Sequence, residues 1–464
     1  MDAEQTNMDV PTCPGCVAAA KRIAELEARI TLLEQKLEAL LRSGKRQAAP
    51  FSRGLPKLDP KPPGRKSGDD YGTKAFRVVP PVIDEIHDAP LPERCPRCGG
   101  RQFIDKRVEH QYQVEIPRRP IHRQFNVSVA RCTCCDKRVQ GRHRLQTSDA
   151  LGCCASQIGP EAQAAVVTLN KELGLSQGKI SRFFQMLFGI KLTRGGSCQI
   201  MLRAARHCEG NYQVIVRRVQ RSEWIVPDET GWRIGGWPAW MHVAVTDNAV
   251  AYLIARQRGV EASALLIGED YAGTLVHDGW ASYDRFWRAI HQTCLAHLLR
   301  RCHELLEHAT RGAVVFPRKV KALLQESLQT RDQRDAKAIT TKAAVIKAND
   351  LQKRMTKLVM PVKTNAANER FSRHLLRHGS QLFTFLRRKG IDATNHRAEQ
   401  AIRPAVVNRK VWGGNRTEAG AVAQSVLMTV LFTAANLKRD GMQFVSQVLR
   451  SPDGHRPMLL PGTG

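Results

Sequence analysis

The sequence predicts a multidomain α+β protein. Its 464 residues are about three times the ~150 residues of a usual domain, so several folded units are expected. The spacing of hydrophobic residues changes along the chain, from a heptad, through strand-like alternation, to helical spacing and then to a mixture of strands and helices. Hydrophobic residues make up 42% and charged residues 25% of the chain, as in folded proteins. Most of the chain is therefore expected to fold.

The charge of the chain predicts a polyanionic partner. Lysine and arginine number 72 against 43 aspartates and glutamates, which gives a formal net charge of +29. An excess of this size favours binding to the phosphates of nucleic acid. A basic surface that serves only solubility is the alternative interpretation.

The first residues and the cysteines predict a cytoplasmic protein. Residues 1–4 contain neither a basic leader nor an apolar stretch, and no run of 18 apolar residues occurs in the chain. The 13 cysteines are an odd number and include C-x-x-C pairs, which favours thiols or a metal over a secreted disulfide framework. We therefore expect a reducing compartment, the cytoplasm with its nucleoid, and no membrane partner.

Residues 1–43 combine a C-x-x-C pair with a heptad. Cys13 and Cys16 form the pair, and no second pair lies nearby in the sequence to complete a metal site. Because a lone helix of this length is marginal in water, the heptad predicts a short coiled coil. Self-association into a homo-oligomer is favoured over packing of the helix on the rest of the chain. The hydrophobic seam consists of Ile23, Leu26, Ile30, Leu33, Leu37 and Leu40.

Residues 44–88 are predicted to be a linker. The part from Gly44 to Gly72 is rich in proline and glycine, basic and without periodicity. Its lysines and arginines could follow a DNA backbone, and a solvated tether explains them equally well.

Residues 89–145 predict a zinc-ribbon-like domain. Cys95 and Cys98 form one C-x-x-C knuckle, and Cys132 and Cys135 form another after 33 intervening residues. Each tight turn directs two thiolates to one ion, so the two knuckles together suit tetrahedral, structural Zn²⁺. The segments VEHQYQVEI and FNVSVARC between them alternate as strands do, which predicts a β-ribbon. Four buried or free thiols are the alternative.

Residues 155–222 predict a helical region. Three helical segments are separated by turns that contain glycine, an arrangement similar to a helix-turn-helix. Lys179 and Arg182 would face outward from the second helix and contact DNA. A plain helical bundle explains the pattern equally well.

Residues 223–298 predict the first part of a mixed α/β core, with three successive strands, a helix and a fourth strand. Asp228 closes one apolar run and Asp278 another, so each carboxylate is expected at or just past the end of a buried strand. Carboxylates at one sheet edge repel each other unless a cation neutralises them, and hard oxygen ligands suit Mg²⁺. Two such ions can promote phosphodiester chemistry, but they need a third acid.

Residues 299–392 predict a helical insertion, and residues 393–464 are predicted to complete the core with a helix that carries a further acid, Glu399, and a C-terminal tail. Residues 351–420 hold 15 lysines and arginines against 4 acids, so this stretch is expected to lie along DNA. Asn395 is a suitable N-cap, and Glu399 in the first turns of the following helix is the proposed third ligand. Alternatively, Glu399 pairs with Arg403, and the two aspartates are ordinary turn residues.

Several motifs give the chain a family resemblance. In order they are the heptad helix, the KPPGRKSG linker, the paired knuckles, PDETGW, HDGWASYDRF, QTCLAHLLRR and TNHRAEQAIRPAVVNRKVWGGNRTEAG. This order resembles the insertion-sequence-66 family of bacterial DDE transposases over nearly the whole chain. The last four motifs are specific to that group.

The resemblance implies an RNase H-like core interrupted by a helical insertion. Asp228, Asp278 and Glu399 would be the acidic triad and would bind Mg²⁺ or Mn²⁺. The enzyme would cleave a strand at each end of its element and join it to target DNA, and accessory proteins of the same element are possible partners. Four basic residues near Glu399 would hold phosphates, namely Arg403, Arg409, Lys410 and Arg416.

Two other functions compete with this reading. A noncatalytic DNA-binding regulator derived from a transposase would retain the coiled coil, ribbon and helices, but intact acids at all three positions argue against it. A tyrosine recombinase needs a nucleophilic tyrosine in its basic C-terminal part, and no tyrosine follows Tyr283. The latter class is close to excluded.

Overall fold

The computed structural model describes residues 14–45, 79–102, 107–114, 116, 119–151, 157–452 and 455–461. The chain divides into two units, Met1–Ile116 and Pro117–Gly464. Cys13 and residues 46–78 of the predicted linker lie outside the described residues, as do the side chains of Cys16, Leu37 and Leu40.

The first unit contains one long helix. Helix α1 spans Pro14–Lys45 and includes the whole predicted heptad. Among its described side chains, the seam residues Ile23, Leu26, Ile30 and Leu33 are 46–57% exposed. The single chain therefore leaves an apolar stripe on this helix in water.

The predicted β-ribbon is shorter than its sequence pattern. The strand expected for VEHQYQVEI is absent from residues 107–114, where Val108 and Val114 are 85% and 78% exposed. Alternation alone does not form a strand when its apolar side chains have no face on which to be buried. In the second unit, β1 (Val129–Arg131) and β2 (Arg138–Gln140) do pair antiparallel, with Val129 opposite Gln140.

Three helices follow, as predicted: α2 (Pro160–Lys171), α3 (Gln177–Phe188) and α4 (Arg194–Gln220). Ser176 caps the start of α3 by accepting the Lys179 N–H with its side chain, and Gly189 caps the end in the left-handed region at φ +67°. Its Ile180 and Phe184 are buried, whereas Lys179 and Arg182 are exposed. The exposed side of α3 is therefore basic.

A five-stranded sheet forms the centre of the second unit. The three strands predicted first are β3 (Trp224–Ile234), β4 (Trp237–Val245) and β5 (Val250–Ala255). Helix α5 (Val260–Ile267) leads to the predicted fourth strand, β6 (Thr274–His277), and an unpredicted strand, β7 (Ile290–Thr293), follows. The spatial order is β5-β4-β3-β6-β7, with β5, β4 and β3 antiparallel and β3, β6 and β7 parallel.

The predicted insertion is helical, and helices also close the chain. Its first helix, α6 (Leu295–His308), begins four residues before the predicted boundary at 299. It is followed by α7 (Val315–Asp335), α8 (Thr341–Val359), α9 (Ala366–Arg377) and the short α10 (Thr384–Arg387). The last three helices are α11 (His396–Trp412), α12 (Glu418–Asn436) and α13 (Gly441–Arg450).

Two hydrophobic cores lie on opposite faces of the sheet. Ile225 and Leu275 belong to a core shared with α2, α4, α12 and α13, whereas their neighbours Val226 and Val276 belong to a core shared with α6, α7, α8 and α11. Successive strand residues point to opposite faces, so each buried strand supplies both cores. The sheet is thus the middle layer between two helical layers.

Helix α12 seals the edge of the sheet at β5. The hydroxyls of Ser425, Thr429 and Thr433 accept the backbone N–H groups of Ile254, Tyr252 and Val250, respectively, at 2.9–3.0 Å. Residues four apart on a helix and two apart on a strand advance by about the same distance, ~6 Å, so the two rows match. The exposed donors of an edge strand are satisfied without another strand.

One helix among the described residues, α12, is long and apolar enough to cross a membrane. However, 67% of its most apolar window is buried inside the protein, where it packs on α4 and β5. This burial is typical of a core helix.

Lys171 is an unusual member of the core. It is 4% exposed, and its Nζ donates to Gln424 Oε1 at 2.5 Å. Burial lowers the pKa of Lys171 from 10.5 to about 7. The folded chain therefore releases this proton more readily than the unfolded chain does.

Substituting Lys171 with Met is expected to flatten the dependence of stability on pH. In the native protein, the free energy of unfolding should fall by a few kcal/mol as the pH falls from about 10 to about 7, because the unfolded chain binds the proton first. Urea unfolding across this range measures the slope for both proteins. Identical slopes would show that Lys171 titrates normally in the folded state.

Candidate active site

Asp228 lies within a strand, not at its end. It is the fifth residue of β3 and is paired with Val243 of β4, so the expectation that it closes a strand is wrong. β3 continues because β4 pairs with it as far as Ile234. In contrast, the parallel pairing of β3 with β6 stops at Ile225 and Leu275. Asp228 therefore follows the last parallel pair, where β3 and β6 separate.

Asp278 directly follows β6, as the sequence predicts. Its Oδ1 accepts the backbone N–H of Trp280 at 2.8 Å. The turn favours glycine at position 279, where φ is +92°. A larger residue there would also place its Cβ 3.4 Å from the His374 ring. Asp278 is thus presented by a short turn at the end of a buried strand.

Glu399 lies in the first turn of α11, which packs on β3. Asn395 occupies the N-cap position, but its side chain does not cap the helix, contrary to the prediction. Its backbone carbonyl instead accepts the N–H of Ala398 and of Glu399. Glu399 Oε1 is 3.7 Å from His297 Nε2, and no ion pair between Glu399 and Arg403 occurs in the described structure.

The three predicted acids share one electrostatic environment. Burial, together with the negative charges of Glu229, Asp278 and Glu399, raises the pKa of Asp228 to about 7. Residues 50 and 171 positions away in the sequence therefore act on the same carboxyl group. Folding brings together the charges that the sequence pattern grouped.

Glu229 is a fourth acid that sequence reasoning missed. Its side chain is only 4% exposed, and it accepts hydrogen bonds from Arg258 Nη2 at 2.8 Å and from Tyr283 Oη at 2.9 Å. The Arg258 guanidinium lies 4.7 Å from the Trp240 ring and 4.5 Å from the Trp280 ring. The available signal was the pair of adjacent acids in PDETGW. Because neighbouring strand residues point to opposite faces, a strand here places Glu229 on the face opposite to Asp228, where a buried acid needs partners.

A pair of histidines supports the turn of Asp278. The backbone N–H of Gly279 donates to His277 Nδ1 at 3.1 Å, which makes His277 Nε2 the donor to His291 Nδ1 at 3.0 Å. His291 Nε2 then donates to the Phe286 carbonyl at 3.1 Å. Burial lowers the pKa of both histidines, so both rings are neutral in this chain of hydrogen bonds.

The basic residues predicted around Glu399 differ in their surroundings. Arg403, Lys410 and Arg416 are exposed. Arg409 is half-buried, and its Nη1 donates to the Gly231 carbonyl of β3. Arg409 thus also joins α11 to the strand that carries Asp228.

The donor set of Asp228, Asp278 and Glu399 fits a hard divalent cation. All three side chains offer carboxylate oxygens, and the raised pKa of Asp228 reflects first its burial and then nearby negative charge, which a cation would neutralise. Nevertheless, the described residues contain no group of three or more His, Cys, Asp or Glu side chains close enough to hold a metal ion.

Comparison with known proteins places these residues in a family. A family model described as Transposase IS66 family matches residues 155–423, which is more than half of the chain. The chain belongs to the transposase IS66 family. The match includes all three acids, confirms the family resemblance seen in the motifs, and supports a transposase role. A search of the curated proteins gave no match.

The cysteine knuckles of this IS66 family transposase lie before the matched residues. In the first, the backbone N–H of Gly99 donates to the Cys95 carbonyl at 2.9 Å, and in the second that of Asp136 donates to the Cys132 carbonyl at 2.9 Å. Backbone N–H groups near each leading thiol, chiefly those of Arg97 and Cys135, lower the pKa of Cys95 and Cys132. Each knuckle is thus locally suited to thiolate ligands.

Proposed function

We propose that this chain is the DNA transposase of an insertion sequence, which binds the ends of its element and cleaves and joins DNA strands by a metal-dependent DDE mechanism. The observation that carries the proposal is the placement of the three acids: Asp228 lies on β3, Asp278 follows the neighbouring strand β6, and Glu399 lies on α11, which packs on β3. The sheet order β5-β4-β3-β6-β7 supports an RNase H-like core. The family match supports the reaction class.

Asp228, Asp278 and Glu399 would hold two Mg²⁺ or Mn²⁺ ions. When bound, such ions polarise a phosphodiester and neutralise the charge that develops during an in-line displacement. Within the chain, Arg258 and Tyr283 orient Glu229 on β3, and the His277–His291 pair holds the turn that presents Asp278. These contacts keep the two aspartates on fixed backbone.

Exposed basic residues would bind the DNA. Phosphate contacts position a protein on DNA without reading its sequence. Arg403, Lys410 and Arg416 are exposed on and after the helix of Glu399, and Lys179 and Arg182 are exposed on α3. Arg409 would contribute partly by holding α11 on β3 through its hydrogen bond to the Gly231 carbonyl.

The enzyme would work as a homo-oligomer on the nucleoid. The exposed seam of α1 supports self-association, since burial against a second copy would remove the apolar stripe from water. Paired subunits would suit paired DNA ends, and accessory proteins of the same element remain further proposed partners.

Incubation of the purified protein with labelled element-end DNA tests the proposed function. With Mg²⁺ we expect strand cleavage at the element end, followed by joining of the 3′ end to target DNA. EDTA should abolish both products while binding persists. A DNA-binding regulator, the competing function, would bind the same DNA with Mg²⁺ and leave it intact.

Structural zinc at Cys95, Cys98, Cys132 and Cys135 is a separate proposal. Four thiolates would saturate tetrahedral Zn²⁺ and leave no position for chemistry. We expect about one zinc per chain by elemental analysis, and loss of that zinc together with reduced stability when Cys95 and Cys98 are replaced by Ser. Replacement of Cys134, the spare thiol, is the matched control and should retain the metal. Purified protein without zinc would contradict the proposal.

A further inference from the structure

A cavity of about 550 Å³ in the second unit has five arginines among its twelve lining residues. It lies between helix α4, the C-terminal end of α13 and residues 142–149. Its arginines are Arg142, Arg203, Arg206, Arg450 and Arg456, and Asp149 is the acidic residue of the lining. We call it the arginine cavity.

The acids around the arginine cavity neutralise only part of this charge. Arg142 Nη1 is 3.6 Å from Asp149 Oδ1, and Arg450 Nη2 is 2.8 Å from Glu161 Oε1. Arg203 and Arg206 are exposed and form no ion pair with an acidic residue in the described part of the chain. Positive charge therefore remains in excess at this site.

The placement of Arg203 and Arg206 follows from the geometry of α4. They are three residues apart and so share one face of the helix, with His207 beside them in the lining. The neighbouring Ala204, Ala205 and Cys208 are buried in the core. Burial of the opposite face thus fixes the direction in which both guanidinium groups point.

Guanidinium groups that converge repel each other unless an anion lies between them. The planar fork of arginine matches phosphate oxygens in a bidentate manner, and several arginines around one cavity suit a polyanion. The three contributing segments are far apart in sequence, so charge patterning along the chain did not indicate this site.

We propose that the arginine cavity binds backbone phosphates of DNA, as a contact separate from those of α3 and α11. This inference rests on the proposed function, because it assigns a further surface to the same DNA. The cavity contributes affinity without base recognition. It would hold DNA whether or not the carboxylates have carried out cleavage.

The test compares two double variants of the full chain. Arg203→Ala/Arg206→Ala removes two cavity charges, and Arg217→Ala/Lys319→Ala removes two exposed charges outside the cavity. Fluorescence anisotropy with labelled duplex DNA in EDTA measures affinity at several salt concentrations. We expect the cavity variant to bind about 10-fold or more weakly and to reduce the salt slope by about 2 relative to the native protein.

An unchanged slope for the cavity variant, or the same loss in both variants, would overturn the proposal. Competition by inorganic phosphate gives a second readout. If phosphate binding is lost in the cavity variant while its DNA affinity is native, the site takes a small anion and the proposal is wrong. Arg203→Lys/Arg206→Lys should retain most of the slope, which separates charge from folding. Failure of the proposed function gives a different result: the native protein would bind DNA but would not cleave it with Mg²⁺.

Discussion

Replacing Asp278 with Ala is expected to lower the rate of Mg²⁺-dependent strand cleavage at least about 1,000-fold, or about 4 kcal/mol in activation free energy. The physical reason is the loss of the proposed carboxylate ligand that follows β6. DNA binding should change little, because it depends on many Lys and Arg contacts. Cleavage and joining of labelled element-end DNA under single-turnover conditions measure the effect.

Asp247→Ala is the matched control for this prediction. Asp247 is exposed after β4, and it belongs to no proposed metal site. Asp284 is less suitable, since its Oδ2 accepts a hydrogen bond from Arg377 at 2.6 Å and thereby joins the segment after β6 to α9. Native cleavage rates in the Asp278 variant would refute the assignment of this carboxylate.

Replacing Arg258 with Ala is expected to reduce the free energy of unfolding by about 2–3 kcal/mol, which is below most of the ~3–5 kcal/mol range for breaking a buried ion pair because Arg258 itself is 44% exposed. The change leaves the Glu229 carboxylate buried with Tyr283 as its remaining hydrogen-bond donor among these contacts. It also removes the cation–π contacts with Trp240 and Trp280. Urea unfolding measures the loss.

Arg256→Ala provides the comparison for an exposed pair. Arg256 contacts Glu418, and the two side chains are 45% and 63% exposed, so its removal should cost no more than about 1 kcal/mol. Adding Glu229→Gln to the Arg258 variant should recover part of the lost stability, since a neutral amide is less costly to bury. Equal losses in the Arg256 and Arg258 variants would show that the burial of Glu229 has no special cost.

Local patterns predicted much of the secondary structure. The heptad of α1, the three helices α2–α4 and the strands β3–β6 all follow from the spacing of apolar residues, which reflects the period of each element. β7 was missed because its four residues, IHQT, are mostly polar. Gln292 and Thr293 are nevertheless fully buried, because their polar groups have hydrogen-bond partners. The Gln292 side chain accepts the Phe385 N–H and donates to the Leu382 carbonyl, and the Thr293 hydroxyl donates to Gln381. The spacing of apolar residues does not indicate such hydrogen-bond partners.

The candidate site was only partly predictable. Motif order and the apolar runs before Asp228 and Asp278 predicted the acids, but they misplaced Asp228 at the end of a strand, because the length of β3 depends on its pairing with β4. The ribbon strand at 107–114 was predicted from alternation, but it needs a face on which to be buried. Glu229 gained significance only through Arg258 and Tyr283, which follow it by 29 and 54 positions.

The sequence by itself determined the family, the basic character, and the periodic helices and strands, and it predicted the three acids. Tertiary structure alone decided which polar and charged groups meet. It pairs Glu229 with Arg258, the α12 hydroxyls with the edge of β5, and arginines from three distant segments around one cavity. The physical reason is that periodicity records which face of an element is buried, whereas the partner of a polar or charged group depends on chain segments brought together by packing.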